Sequence, residues 1–292
     1  MSSPPIASIV IPAHNEEQVI GTCLTTLLAG ADEGELEIVV VANGCRDRTA
    51  ERARGVGPGV KVIEVARGSK PLALNTGDQA VSAFPRFFVD ADVQVGIDAI
   101  RKVVAALGSG DALAAAPRME LDLEGRPWRV RAFYETWSKL HYVTDAHIGS
   151  GVYAVSEAGR ARFGRFPDIV ADDMFIHSLF DPSERVSVRD AEFVDRAPLT
   201  LRGLLRIKGR AAAGNFEYRA KYADQARHAD GANRRRAAGA GALVRDPKAW
   251  PALALYTAVY VAAQIRGWWK FRFGDLRQWD RDDSARDVAA TD

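Results

Sequence analysis

Two aspartates, Asp90 and Asp92, are the residues whose type and spacing most clearly indicate chemistry in this chain. They directly follow the short apolar run Phe87 to Val89, which predicts a buried strand that ends where the acids begin. Two carboxylates two residues apart can reach a hard divalent cation and a sugar or ribose hydroxyl together, while a diphosphate supplies further oxygens. Acid pairs are common on surfaces, so the preceding strand is what favours a ligand site over a solvated turn.

Two further polar segments also follow apolar runs. The segment PAHNEE at 12–17 comes after the run 7–11, and GSK at 68–70 comes after the run 61–65. Taken alone, Asn15 and Glu17 are best explained as the cap and a first-turn acid of a helix, but their position after the strand also favours a ligand site. Lys70 either faces a phosphate near the two aspartates or is a solvated lysine in a loop.

Alternating strands and helices must position these groups. We predict strands over 7–11, 36–41, 61–65 and 86–89, and helices over 16–28, 47–55 and 71–81. This alternation predicts an α/β fold, a doubly wound and mostly parallel sheet with helices on both faces. Ligands of such sheets bind beyond the carboxyl ends of the strands, where the polar segments lie. Further along the chain we predict helices over 97–107, 128–147 and 172–180, strands over 112–117 and 152–155, and a flexible loop over 233–241.

Charge and cysteine content exclude several classes of protein. The net charge of +1, from 39 basic and 38 acidic residues, argues against a polyanionic partner such as bulk nucleic acid. The two cysteines, Cys23 and Cys45, form no CxxC pair, so a disulfide framework and a structural zinc site both lack ligands. The N-terminus lacks the basic segment and the long apolar run of a secretory signal, so we expect a cytoplasmic protein.

Seven motifs together resemble the family 2 glycosyltransferases, which have the GT-A fold. They are PAHNEE at 12–17, NGCRDRT at 43–49, GSKPLALN at 68–75, DAD at 90–92, GSG at 149–151, the acid pair Asp172-Asp173, and RIKGRAAAGN at 206–215. The motifs occur in the family's order and cover roughly residues 6–215. The resemblance implies a GT-A domain over 1–215, with a nucleotide-binding half over about 6–97 and an acceptor half over about 98–215. A helical C-terminal extension with a flexible loop and tail would occupy 216–292.

The same resemblance implies an inverting transfer of a sugar from a nucleoside-diphosphate sugar to an acceptor hydroxyl. It implies a divalent cation, Mn²⁺ or Mg²⁺, held by Asp92 and Asp90 against the diphosphate. It implies Asp173 as the general base, with Asp172 orienting it. The residues implied for the donor nucleotide are Pro12, Ala13, His14, Asn15, Glu16, Asn43, Asp47, Lys70, Asn75 and Asp90. Those implied for the diphosphate or acceptor are Gly149, Ser150, Gly151, Arg206 and Arg210.

The chain departs from the family pattern in three places. The family commonly has two acids before Gly-Ser, whereas this chain has Ala42 and Asn43 before Gly44. The acid pair is Asp-Asp where Glu-Asp is usual, and no tryptophan follows Arg210. The first departure removes an acidic contact to the nucleotide base. Arg206 and Arg210 are explained nearly as well by a solvated basic helix face as by a clamp on diphosphate. We expect His177 to be structural or at the surface rather than a metal ligand.

The nearly uncharged run 250–265 is too short to cross a membrane, which takes about 20 apolar residues. It is either a core helix or an interfacial segment with tryptophans at headgroup level and basic residues on anionic lipid. The expected partners are the sugar-nucleotide donor and a carbohydrate or lipid-linked acceptor. The second interpretation of this run adds the anionic inner face of a membrane as a peripheral contact. Two other functions remain open: a nucleotidyltransferase that makes sugar nucleotides, and a non-catalytic sugar-nucleotide-binding protein.

Overall fold

A computed structural model describes residues 4–141, 151–225 and 243–276. The strands, numbered in chain order, are β1 (Ala7–Ala13), β2 (Leu36–Asn43), β3 (Val60–Val65), β4 (Arg86–Val89), β5 (Gln94–Val95), β6 (Ala114–Asp122), β7 (Val152–Val155) and β8 (Arg185–Arg196). The helices are α1 (Ile20–Leu28), α2 (Thr49–Arg54), α3 (Lys70–Gln79), α4 (Ile97–Gly108), α5 (Trp128–His141), α6 (Glu157–Arg160), α7 (Asp172–Leu179), α8 (Leu201–Lys221) and α9 (Trp250–Phe273). Short 3₁₀ turns cover Pro182–Glu184 and Pro247–Ala249.

Within the described residues, eight strands form one sheet in the order β3-β2-β1-β4-β7-β6-β8-β5. β1 pairs in parallel with β2 and β4, and β2 pairs in parallel with β3. β7 pairs antiparallel with β4 and β6, and β5 pairs antiparallel with β8. The α/β sheet predicted from the sequence is confirmed, and its parallel part comprises β3, β2, β1 and β4.

Helices cover both faces of this parallel part, as the alternation predicts. All seven residues of β1 are buried. On one face Ile9 and Ile11 belong to an apolar cluster with Leu24 of α1. On the other face α3 packs closely on the sheet at Gly77, where an added Cβ would lie 2.4 Å from Val10 Cγ1. The side chains of β1 therefore alternate between two buried layers, and its carboxyl end is fixed between them.

A buried ion cluster, which the sequence patterns do not reveal, joins α3, β4 and α6. Asp78 Oδ1 accepts from Arg86 Nη1 at 2.6 Å, and Asp78 Oδ2 accepts from Arg160 Nη2 at 2.6 Å. The side chain of Asp78 is only 5% exposed. Burial alone would raise the pKa of Asp78, but the hydrogen bonds and charges of Arg160 and Arg86 hold it below its usual value.

The structure corrects several element boundaries. α1 begins at Ile20 rather than at residue 16, and no side chain caps it. Asn15 has a left-handed backbone, φ 53°, which keeps it and the segment behind it out of the helix. The sequence patterns missed β8, a 12-residue strand whose many charged residues hide its apolar alternation. The end of the helix predicted over 128–147 and the loop predicted over 233–241 lie outside the described residues.

The described residues divide into two compact units. The first comprises 4–121, 151–168 and 179–195, and the second comprises 122–141, 169–178, 196–225 and 243–276. In the second unit α9 packs along α8, and the approach is close because Gly267 faces Ala212, where an added Cβ would lie 2.5 Å from Ala212 Cβ. In the part of the chain that the structure describes, no helix is both long and apolar enough to cross a membrane.

Candidate active site

The carboxyl ends of three neighbouring parallel strands bring the predicted donor residues together in the first unit. β1 ends at Ala13 beside β2, which ends at Asn43, and β4 ends at Val89 directly before Asp90. Pro12 and Ala13 are buried as the last residues of β1. Because parallel strands all point the same way, the loops that leave these strands share one edge of the sheet. The polar segments singled out in the sequence therefore lie at the edge where they were expected.

Asn43, at the end of β2, is hydrogen-bonded to the end of β1 and to the loop before α3. Its Nδ2 donates to Ala13 O at 2.8 Å, and its Oδ1 accepts from Ser69 N at 2.9 Å. The residue is fully buried, so its amide serves the protein and not the solvent. The carbonyl of Asn43 accepts from His14 Nδ1 at 2.5 Å, which fixes the proton on that ring nitrogen. Gly44 must be glycine, because its φ is +60° and an added Cβ would lie 2.4 Å from Gly68 N.

The loop after β1 and the loop after β2 are fastened to each other by the acids and amides of both motifs. Asn15 Oδ1 accepts from Arg46 N at 2.7 Å, so Asn15 caps the neighbouring loop instead of a helix of its own. Asp47 Oδ2 accepts from Glu17 N at 3.1 Å. Glu16, which is buried, donates its backbone N–H to Thr49 Oγ1 at 2.7 Å. Asp47 and Asn15 therefore shape the edge of the sheet.

Lys70 and Asp90 form an ion pair at this edge. Lys70 Nζ lies 2.8 Å from Asp90 Oδ1, with the two side chains 22% and 36% exposed. Lys70 is the first residue of α3, and Ser69 caps that helix by accepting from Leu72 N. Gly151 is the last residue of the GSG motif, and its carbonyl accepts a hydrogen bond from Asp90 N at 2.8 Å. Gly149 and Ser150 lie outside the described residues.

The buried thiol of Cys23 lies within the electrostatic influence of three carboxylates at this edge. Burial, together with the charges of Asp92, Asp90 and Glu16, raises the pKa of this thiol to about 12. Asp92 is exposed and Asp90 half-buried. In the described residues no group of three or more His, Cys, Asp or Glu side chains could by itself hold a metal ion. Two carboxylates still fit a Mg²⁺-like cation that takes its other ligands from substrate phosphates and water.

Asn75 is placed by α3 but faces inward. Its Nδ2 donates to Phe166 O at 2.9 Å, and its Oδ1 accepts from Phe166 N at 2.9 Å. The residue is buried. Both polar atoms are thus paired with the backbone of one residue, which fixes the segment around Phe166 against α3.

The acid pair begins α7 in the second unit. Asp172 is buried, whereas Asp173 is exposed and accepts from Met174 N at 2.8 Å. His177, one turn after Asp173, is buried. Glu217 of α8 holds the segment in front of the pair, because its Oε2 accepts from Val170 N at 2.9 Å. Glu217 was not singled out by any sequence motif.

α8 approaches this segment closely and carries the predicted arginines. At Gly214 an added Cβ would lie 3.1 Å from Val170 Cγ1 and 3.2 Å from Ala171 N. Arg206 and Arg210, one helical turn apart, are half-buried on α8. Between them Lys208 lies over the rings of three residues of α5, with Nζ 5.0 to 5.9 Å from the ring centroids of Phe133, Tyr134 and Trp137. The close approach of α8 to this segment was not predicted, although a glycine at position 214 inside a long helix is a sequence feature that indicates such an approach.

Comparison with known proteins gives consistent results. Residues 8–162 match the family model described as glycosyl transferase family 2. Over 91 residues the chain is 34% identical to the uncharacterized glycosyltransferase EpsJ of Bacillus subtilis (strain 168). That stretch covers 30% of this chain and 26% of EpsJ, so the chain spans about a quarter of the length of this relative.

Two solved structures share the fold at low sequence identity. The mannosyltransferase PcManGT from Pyrobaculum calidifontis, in complex with GDP-Man and Mn²⁺, has a TM-score of 0.65 and 20% identity, with 92% of this chain and 88% of that chain covered. S. aureus TarS 1-349, in complex with UDP-GlcNAc, has a TM-score of 0.54 and 14% identity, with 97% and 90% covered. At these identities the likeness shows the fold alone.

Proposed function

Because the chain belongs to glycosyl transferase family 2 and has the GT-A fold, we propose that it transfers a sugar from a nucleoside-diphosphate sugar to an acceptor hydroxyl. The observation that carries the proposal is the convergence of Asp90, Lys70 and the His14 loop at the carboxyl ends of parallel strands. A lysine at a helix N-terminus suits a phosphate, and a carboxylate beside it suits a cation or a ribose hydroxyl.

The proposed cofactor is a divalent cation, Mn²⁺ or Mg²⁺, held by Asp92 and Asp90. PcManGT contains Mn²⁺ together with its sugar nucleotide, which supports this assignment. When bound, such a cation neutralises charge on the leaving diphosphate. Lys70 would place a second positive charge beside the same phosphates, because its ammonium group already lies against Asp90.

The donor residues divide into two groups in this proposal. His14, Lys70 and Asp90 line the nucleotide, and the buried Pro12, Ala13 and Glu16 support this surface. Asn15, Asn43, Asp47 and Asn75 shape that surface from behind, because their polar side-chain atoms are hydrogen-bonded to backbone groups of the protein. Gly151, beside Asp90, must be glycine, because its φ is +97° and an added Cβ would lie 3.0 Å from Val93 Cγ1.

We assign the general base to Asp173 and an orienting role to Asp172. The exposure of Asp173 and the burial of Asp172 support this choice within the pair. The acceptor hydroxyl would give its proton to the Asp173 carboxylate as its oxygen forms a bond to the anomeric carbon. The bond from that carbon to the diphosphate oxygen breaks on the opposite side, so the product is inverted. Arg206 and Arg210 would bind diphosphate or an anionic acceptor.

The proposed acceptor is a carbohydrate or a lipid-linked saccharide, and the transferred group is a hexose or a derivative of one. Such a reaction belongs to glycan, glycolipid or cell-envelope synthesis. EpsJ and PcManGT are called a glycosyltransferase and a mannosyltransferase, which supports this class of reaction without specifying the sugar.

A panel of nucleotide sugars tests the proposal by thermal unfolding in Mn²⁺. The correct donor should stabilise the protein by about 2.7 kcal/mol at a concentration 100 times its dissociation constant. The purified protein should also release nucleoside diphosphate from that donor slowly. Release of pyrophosphate from a nucleoside triphosphate and a sugar phosphate would instead identify a nucleotidyltransferase. Stabilisation with no release of nucleoside diphosphate in any acceptor mixture would identify a non-catalytic binding protein.

A further inference from the structure

The outer face of α9 is apolar along nearly its whole length. Its inner residues Tyr256, Val259, Ala263 and Gly267 are buried, so the opposite side of the helix faces outward. Exposed residues on that outer side recur at helical spacing, and Thr257 and Arg272 are the polar ones among them. The apolar ones used here are Trp250, Ala254, Val261, Ile265, Trp268 and Trp269. We call these six residues the outer stripe; it extends about 29 Å at 1.5 Å per residue.

The outer stripe exposes large side chains to an extent that is unusual for a core helix. Trp250 is 58% exposed, Ile265 56% and Trp269 56%. Monomeric soluble proteins rarely expose a long contiguous apolar surface unless it binds something. Tryptophan is the side chain that favours the boundary between headgroups and acyl chains, since its ring is apolar and its N–H is polar.

The charges within α9 itself are of one sign, and the nearest acids along the chain, Asp246 and Asp275, lie just beyond its two ends. No aspartate or glutamate occurs between Lys248 and Gly274 in the sequence. Lys248 and Arg272, near the two ends of the helix, are both exposed. The charged side chains within the helix itself are all basic, so a second copy of the chain packed along it would bring like charges together. An anionic lipid surface complements it.

We propose that the outer stripe binds an anionic membrane surface, with α9 lying in the plane of the headgroups. The tryptophans and Ile265 enter the interface, while Lys248 and Arg272 contact lipid phosphates. The helix lies on the membrane and does not cross it, in keeping with its inner face being packed against α8. The site adds a partner to the proposed transferase and places it beside lipid-linked acceptors. Binding to vesicles needs no sugar transfer, so its success or failure is independent of the proposed activity.

The test is flotation of the full-length protein with vesicles of phosphatidylcholine and of phosphatidylcholine mixed with phosphatidylglycerol. We expect the protein to float with the anionic vesicles and much less of it to float with the zwitterionic ones. Replacing both charges, Lys248→Gln with Arg272→Gln, should weaken anionic binding about 30-fold, because each basic residue near such a surface contributes roughly fivefold. The matched control is Arg52→Gln with Arg54→Gln, which removes two exposed charges from the last turn of α2 in the first unit.

A second variant tests the apolar part. Ile265→Gln with Trp269→Gln should weaken binding at least about tenfold while thermal unfolding stays close to that of the unmodified protein, because both side chains face outward. Tryptophan fluorescence should shift to shorter wavelength on binding and lose this shift in the variant. The proposal is overturned if neither vesicle binds the protein, or if the α2 control loses binding as strongly as the α9 variant. It is also overturned if Ile265→Gln with Trp269→Gln dissolves a dimer in sedimentation and leaves vesicle binding intact.

Discussion

Glu217 is predicted to position the acid pair without touching substrate. It is buried in α8, accepts from Val170 N at 2.9 Å, and pairs with Lys221 Nζ at 2.7 Å. Val170 stands two residues before Asp172, and α7 is held again near its other end by a hydrogen bond between the Ser178 and Tyr218 hydroxyls. The start of α7 thus depends on one carboxylate from another helix.

Replacing Glu217 by alanine removes the acceptor for Val170 N. A hydrogen bond to a charged group contributes about 1.5–3 kcal/mol, so Glu217→Ala should lower the free energy of unfolding by about 2 kcal/mol. Alanine is itself a good helix former, so the loss will not come from α8 propensity. A misplacement of the base by about 1 Å costs on the order of 100-fold in rate, so transfer should fall between about 10- and 100-fold. Glu217→Gln keeps an acceptor oxygen and should lose only a few-fold.

The assay compares sugar transfer at saturating donor with the donor dissociation constant from calorimetry. We expect Glu217→Ala to lower the rate and leave donor affinity within about twofold, with rescue by Glu217→Gln. Glu64→Ala is the matched control, since Glu64 pairs with Arg54 at the surface, where the side chains are 60% and 53% exposed. Its effect on stability should stay below about 1 kcal/mol. Equal transfer rates for Glu217→Ala and the unmodified protein would refute the positioning role, as would an equal loss for alanine and glutamine.

Two further predictions concern Asp78 and Asp173. Asp78→Asn should lower the free energy of unfolding by about 3 kcal/mol at neutral pH, because the buried guanidinium of Arg86 and the half-buried one of Arg160 both lose their carboxylate partner. Asp98→Asn, in an exposed pair with its side chain 87% exposed, should cost less than about 1 kcal/mol. Since the pKa of Asp78 is lowered on folding, the loss of stability in Asp78→Asn should be largest above about pH 4 and should shrink as the pH falls further. Urea unfolding measured across this pH range would contradict the account if Asp78→Asn and Asp98→Asn lost the same stability at every pH. Asp173→Asn should reduce transfer at least about 100-fold with donor affinity retained, and Asp172→Asn should do less; steady-state kinetics showing the reverse order would move the base to Asp172.

The sheet, and the edge at which the polar motifs lie, could be predicted because both depend on local patterns in the sequence. Apolar runs such as 7–11 and 86–89 each end at a polar motif, and parallel strands bring those ends together. The first loop was harder to predict, because Asn15 looks like a helix cap in sequence. In the structure it adopts a left-handed backbone and caps Arg46 N instead.

The remaining parts depend on contacts between residues far apart in sequence. Glu217 contacts Val170 over a separation of 47 residues, and Arg160 contacts Asp78 over 82. No spacing rule connects such pairs. β8 escaped prediction for another reason: its exposed positions carry charges that dilute the alternation of its buried ones. The sequence left two interpretations of the apolar run 250–265, a core helix and an interfacial segment. Only the structure, which buries one side of α9, distinguishes the two faces of this helix.

The most direct test of the central claim is the binding of nucleoside diphosphate with and without a divalent cation. Calorimetric titration in Mn²⁺ should give measurable affinity that is lost when a chelator removes the metal, because Asp90 and Asp92 would otherwise repel the diphosphate. Asp92→Asn should weaken binding at least about tenfold, while the exposed Asp98→Asn of α4 leaves it unchanged. Equal affinity with metal and with chelator, together with an unweakened Asp92→Asn variant, would contradict the account.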